Sequence, residues 1–168
     1  MSNLKQRQDI RTKDEFKKDI LVHTKKEATW TNKWFQKAIL SKHPNAELLD
    51  NGCDNTGTVI LEKATKEPDF KLVINNKSYL IEAKVSPAPC ITLKVYDINH
   101  ALSEKCKADY YLLVANAEEN KDTKYYLVEP SELVRFKSGI RIYSEKFGNK
   151  PAIRLFLSDL ETFKCKNL

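Results

Sequence analysis

The sequence is poor in the features that mark several common protein classes. It holds only 4 Gly and 6 Pro in 168 residues, and shows neither an internal repeat nor a low-complexity tract, which excludes fibrous and disordered compositions. No apolar run approaches the roughly 18–20 residues that span a bilayer, and residues 1–16 contain no apolar stretch of the secretory kind. The expectation is a cytoplasmic protein with no membrane partner. Four cysteines, Cys53, Cys90, Cys106 and Cys165, stand far apart without a Cys-x-x-Cys pair, and only 3 histidines are present. That spacing argues against a zinc site, and without a secretory segment the thiols are expected to be free.

What is present describes one globular domain over residues 1–168, with 41% hydrophobic and 31% charged residues. The net charge is +6, and its placement is uneven: residues 1–44 carry 11 basic and 5 acidic side chains, the remainder 18 of each. A basic N-terminal segment suits a polyanionic partner, since each Lys or Arg that neutralises a phosphate releases counterions. It also suits an ordinary solvated helix face.

Helical periodicity predicts two helices at the start. The first opens at Thr12-Lys13-Asp14-Glu15, a capping-box spacing, and carries Phe16, Ile20 and Leu21. The second covers residues 28–42, with Trp30, Trp34, Phe35, Ala38 and Ile39 at helical intervals, and ends at His43-Pro44-Asn45. The pattern then turns strand-like. Short strands are expected at residues 58–61, 70–74 and 79–85, the last two joined through Asn75-Asn76-Lys77 as a hairpin, and Ser86-Pro87-Ala88-Pro89 should break the sheet. A helix over 97–107 precedes Tyr110–Ala115, whose continuous apolar run reads as a central strand buried on both faces. Further strands are expected at 124–128, 140–143 and 152–157. A short helix should start at Glu129-Pro130-Ser131-Glu132, and another at the capping-box spacing Ser158-Asp159-Leu160-Glu161.

The residues that suggest chemistry are Glu67-Pro68-Asp69-Phe70 and Glu82-Ala83-Lys84. Residues two apart on a strand share a face, so Glu82 and Lys84 project together, and antiparallel pairing about Asn75-Asn76 brings Asp69 beside them. Two carboxylates at a strand end make a hard-oxygen site for Mg²⁺ or Mn²⁺, and the ammonium can orient a water or help to deprotonate it. An exposed ion pair beside a turn aspartate is the plainer reading. Against it, these charges sit in a strongly apolar strand, where ionised groups are costly unless paired or bound to metal.

Pro68-Asp69 and Glu82-Ala83-Lys84 resemble the two half-motifs of the PD-(D/E)xK nuclease superfamily, the fold of type II restriction enzymes. The resemblance covers roughly residues 28–115. It implies a mixed α/β (α+β) fold: a restriction-endonuclease-like core, with a central mixed sheet flanked by helices and a small C-terminal β extension over 116–168. It further implies that Asp69 and Glu82 hold Mg²⁺ together with the Ala83 carbonyl. Lys84 would position the attacking water, and hydrolysis would leave a 5′-phosphate and a 3′-hydroxyl. Many members add an acidic residue from the first core helix. Glu27, Glu47, Glu62 and Glu67 are the candidates here, with Glu47 slightly favoured.

Thr92, Lys94 and Tyr96 alternate just after the motif strand, where the family often contacts DNA; Ser86 and His100 are further candidates for that contact. Each also has an ordinary structural reading, as turn cap, polar strand face or helix surface. The expected role is a sequence-specific endonuclease acting on duplex DNA as a homodimer. A structure-selective resolvase, homing or repair nuclease is the alternative within the class, and a non-catalytic DNA-binding module the alternative outside it.

Overall fold

The computed structural model describes residues 13–51, 67–143 and 150–168. Its first element is one continuous helix, α1 (Lys13–Trp34), which widens into a π-type turn over Phe35–Leu40. Two separate helices were expected here. They merge because no Gly or Pro interrupts residues 13–40. Thr29 and Asn32 donate to the carbonyls of Lys25 and Ala28 at 2.8 and 2.9 Å, bonding back onto their own helix instead of ending it. Thr12, with its expected cap, lies outside the described residues, as do the side chains of Phe16 and Ile20 and the predicted strand at 58–61.

The remaining elements are β1 (Glu47–Asp50), β2 (Phe70–Ile74), β3 (Lys77–Val85), β4 (Cys90–Lys94), α2 (Val95–Ala101), β5 (Tyr110–Ala115), β6 (Lys124–Val128), a 3₁₀ segment (Pro130–Ser138), β7 (Ile140–Tyr143), β8 (Pro151–Phe156) and α3 (Leu157–Leu160). They build a mixed α/β fold around a five-stranded sheet of order β1-β2-β3-β5-β6, with a second sheet of order β4-β8-β7. Only β3 and β5 run parallel in the large sheet, and β4 with α2 supplies the crossover between them. The C-terminal strands β7 and β8 form the small second sheet, which is joined to the core through the pairing of β8 with β4.

The large sheet is buried on both sides, and β5 at its centre shows how. Leu112 and Val114 join the core formed with Trp30, Trp34 and Phe35 of the first helical segment, while Tyr111, Leu113 and Ala115 join a core with Ile98, Phe136, Ile153 and Leu155. This is the expected doubly buried strand. Three expectations shift. β1 was not foreseen, because Glu-Leu-Leu-Asp lacks alternation. α2 starts earlier and is shorter than 97–107. α3 starts at Leu157 without a side-chain cap, so Ser158 lies inside it and makes no capping box. Among the described residues no helix is long and apolar enough to cross a membrane.

Candidate active site

The site begins with a tight turn. Asn75 and Asn76 adopt φ of 48° and 63°, a left-handed pair that asparagine tolerates and that matches strand twist in two-residue hairpins. This fixes the register Ile74↔Lys77 through Phe70↔Ile81. Continued by two positions, the same register would set Pro68 opposite Ala83. Proline has no N–H, so the ladder cannot extend there. The Ala83 N–H donates instead to Asp69 Oδ2 at 3.0 Å. Asn51 holds the other side of this segment: its Nδ2 donates to the Pro68 carbonyl at 2.8 Å, and its backbone N–H to the Asp69 carbonyl at 3.0 Å. The Pro-Asp pair thus ends a strand, leaves the Ala83 carbonyl without a donor from that neighbour, and points a carboxylate at β3.

Along β3, Ile81 and Ala83 are buried in the α1-side core, so Glu82 and Lys84 emerge on the opposite face. Lys84 Nζ donates to Glu82 Oε1 at 2.7 Å. A third carboxylate comes from α1: Glu27 is 8% exposed, with His23 Nε2 at 2.6 Å from its Oε1, and its charge acts on both Asp69 and Lys84. Asp69, Glu82, Lys84 and Tyr111 line a cleft of about 180 Å³ whose other walls include Glu67, Tyr96, Asp97, His100, Cys106 and Lys107.

Three carboxylates around one ammonium leave an excess of negative charge. Burial first, then Glu82 and Glu27, push the Asp69 carboxyl up from 3.8 to about 7, against the pull of Lys84 and the Ala83 N–H. Burial disfavours the Lys84 cation, but Glu82, Glu27 and Asp69 outweigh it and hold that ammonium above the ordinary lysine range. The surrounding carboxylates thus favour the charged form of Lys84. The Tyr111 phenol is likewise pushed up, by burial and then by Cys106 and Glu82, and stays neutral.

Of the residues singled out in the sequence, Asp69, Glu82, Lys84, Tyr96 and His100 meet at this cleft. Glu47 does not join them. It opens β1 opposite Val73, exposed and three rungs from the end of the strand where Asp50 faces Phe70. Glu27, another of the candidate acids, lies near enough for its charge to act on Asp69 and Lys84. Glu62 and Cys53 lie outside the described residues, and Glu67 pairs with Lys107 at the cleft wall.

Ser86 caps its own turn, accepting from the Ala88 N–H at 3.2 Å. Thr92 and Lys94 sit on β4, where Thr92 Oγ1 accepts from Arg154 Nε at 3.2 Å. Tyr96 belongs to α2 and not to that strand, so the three do not alternate on one face; Tyr96 is 66% exposed at the cleft. Sequence reasoning missed Asn51, Asp97 and Lys107. The turn signal at Asn51-Gly52 was visible, but the long-range contact it serves was not. Cys90, Cys106 and Cys165 are free. No protein-family model matches the chain, and no curated protein matches it.

Among the described residues no three His, Cys, Asp or Glu side chains form a group that holds an ion by themselves. The oxygen donors that line this site beside Lys84 include the carboxylates of Asp69 and Glu82. Mg²⁺ prefers oxygen donors, retains several waters and commonly takes one or two carboxylates plus substrate phosphate. Hard oxygens in a pocket of surplus negative charge fit that ion and not a zinc site.

Proposed function

We propose that this chain is a Mg²⁺-dependent endonuclease that hydrolyses phosphodiester bonds in DNA, with Mn²⁺ able to substitute. The most fitting role is a sequence-specific enzyme of the restriction type, working in the cytoplasm as a homodimer on duplex DNA. The observation that carries the reading is the meeting of Asp69, Glu82 and Lys84 in one cleft at the open end of the β2–β3 hairpin, with Glu27 behind them.

In this reading Asp69, Glu82 and the Ala83 carbonyl hold the cation, which when bound supplies Lewis-acid polarisation of a phosphoryl oxygen. The Ala83 N–H fixes the Asp69 carboxylate in orientation. Lys84, favoured as a cation by the surrounding carboxylates and restrained by Glu82, orients the attacking water and stabilises negative charge that builds on the scissile phosphate. Glu27 supplies negative potential that favours cation capture and keeps Lys84 protonated. Tyr111, buried and neutral, backs the site and excludes solvent from that side.

The test is supercoiled plasmid with Mg²⁺, with EDTA and Lys84→Ala as controls. Nicking or linearisation that needs the metal and nearly vanishes in the variant is expected. Equal cleavage by Lys84→Ala would remove this residue from the mechanism, and no cleavage by the native chain on any plasmid or branched DNA would remove the activity. Discrete bands identify sequence recognition; preference for a junction identifies a structure-selective enzyme.

A further inference from the structure

The cleft carries a second lysine–glutamate pair that the catalytic reading leaves unused. Lys107, between α2 and β5, donates to Oε1 of Glu67, 40 positions away in sequence, and both line the cleft beside Asp69 and Glu82. The segment bearing Lys107 is pinned on either side. The Cys106 N–H donates to the Ser103 carbonyl at 3.2 Å, and the Asp109 N–H to the Leu80 carbonyl at 2.8 Å. The Asp109 carboxylate in turn accepts from the Leu80 N–H at 2.7 Å. The ammonium therefore hangs from a fixed point on the cleft wall.

Charge makes that position consequential. Among the described residues the cleft lining holds the carboxylates Glu67, Asp69, Glu82 and Asp97 and two lysines, Lys84 and Lys107. A phosphodiester strand entering it meets a net negative wall. Lys84 is held by Glu82 at the inner end of the cleft. The Lys107–Glu67 pair is different: its side chains are 56% and 41% exposed, and ion pairs that open to water are weak. A phosphate oxygen offers Lys107 an equally charged partner with several acceptors, so exchange costs little.

We propose that Lys107 and Glu67 form an exchangeable latch, in which a nucleic-acid phosphate takes the place of Glu67 on Lys107 and the strand is thereby seated against Lys84. Lys107 is a binding residue and Glu67 its resting competitor. The inference rests on the nuclease reading and gives it a specific phosphate contact.

The experiment measures binding of a short fluorescein-labelled DNA duplex in EDTA by anisotropy across a salt series, for the native chain, Lys107→Ala and Glu67→Gln, with thermal melting to verify folding. Plasmid cleavage is run in parallel. Lys107→Ala should weaken binding about fivefold to tenfold and flatten the plot of log Kd against log salt by about 0.9, one phosphate contact. In cleavage it should raise KM and leave kcat within about twofold. Glu67→Gln should tighten binding about threefold, because the competitor for Lys107 is gone. If both variants weaken binding alike, the pair is a structural brace and the latch is wrong. If the native chain binds and cuts DNA while neither variant changes Kd or KM, the latch fails and the nuclease reading stands. If the native chain neither binds nor cuts DNA, both fall together.

Discussion

The two ends of the β2–β3 hairpin obey different rules. At the closed end, Asn75 and Asn76 take the backbone conformation their type allows, Lys77 and Ser78 face water, and nothing is buried that water would rather keep. At the open end, Asp69, Glu82, Lys84 and Glu27 gather charge where the strand is otherwise apolar, and a proline cuts the ladder short. One end is consistent from local propensity upward. The other violates local preference in several ways at once, which is where chemistry is expected to reside. The contrast separates what specifies the fold from what the fold is for.

The largest effect that would sharpen this contrast is Lys84→Ala. Cleavage should fall about 10²–10³-fold, comparable to losing one preorganised electrostatic group, while the folded chain remains. A proportional loss of folded protein, seen by circular dichroism, would instead make Lys84 structural. Glu27→Gln should act next: the Mg²⁺ concentration for half-maximal cleavage should rise about threefold to tenfold as negative potential is removed. An unchanged metal requirement would detach Glu27 from the site.

A third prediction concerns acid and base in the metal-free protein. The Asp69 carboxyl titrates at about 7 in the fold and near 3.8 when unfolded. Between those values the native state holds the extra proton. Its stability is then greatest at the acid side of this window and declines as pH rises through about 7. Thermal melting in EDTA should show that decline, and Asp69→Asn should abolish it; persistence in the variant would assign the slope to other groups. The smallest effect belongs to the closed end. Asn76→Ala should cost about 1 kcal/mol, because alanine lacks the short polar side chain that lets asparagine tolerate left-handed φ, and cleavage by the folded fraction should be unaltered.

The same division explains what could be read in advance. The hairpin, its turn and the convergence of Asp69 with Glu82 and Lys84 were legible because period-two alternation and an Asn-Asn pair are local signals. The buried strand at Tyr110–Ala115 was legible from composition alone. Glu27 was not distinguishable from Glu47, since which acid reaches the cluster depends on how α1 lies across the sheet, and that is decided by Trp30, Trp34 and Phe35 packing on distant strands. Tyr96 was misplaced by one structural boundary: a strand-like Thr-Leu-Lys-Val-Tyr run gives way to a helix after Lys94, moving the ring from the β4 face to the cleft rim.

Pro68 carries a consequence for the durability of the opening. Hydrogen-bonded strands tend to zip onward wherever both chains offer partners, and a seam sealed past Asp69 would enclose the acidic cluster. A ring nitrogen without hydrogen acts as a permanent stop on that zipper, so the gap is kept by covalent structure and not by a balance of weak contacts. Thermal breathing can loosen this edge of the sheet, but it cannot stitch it shut.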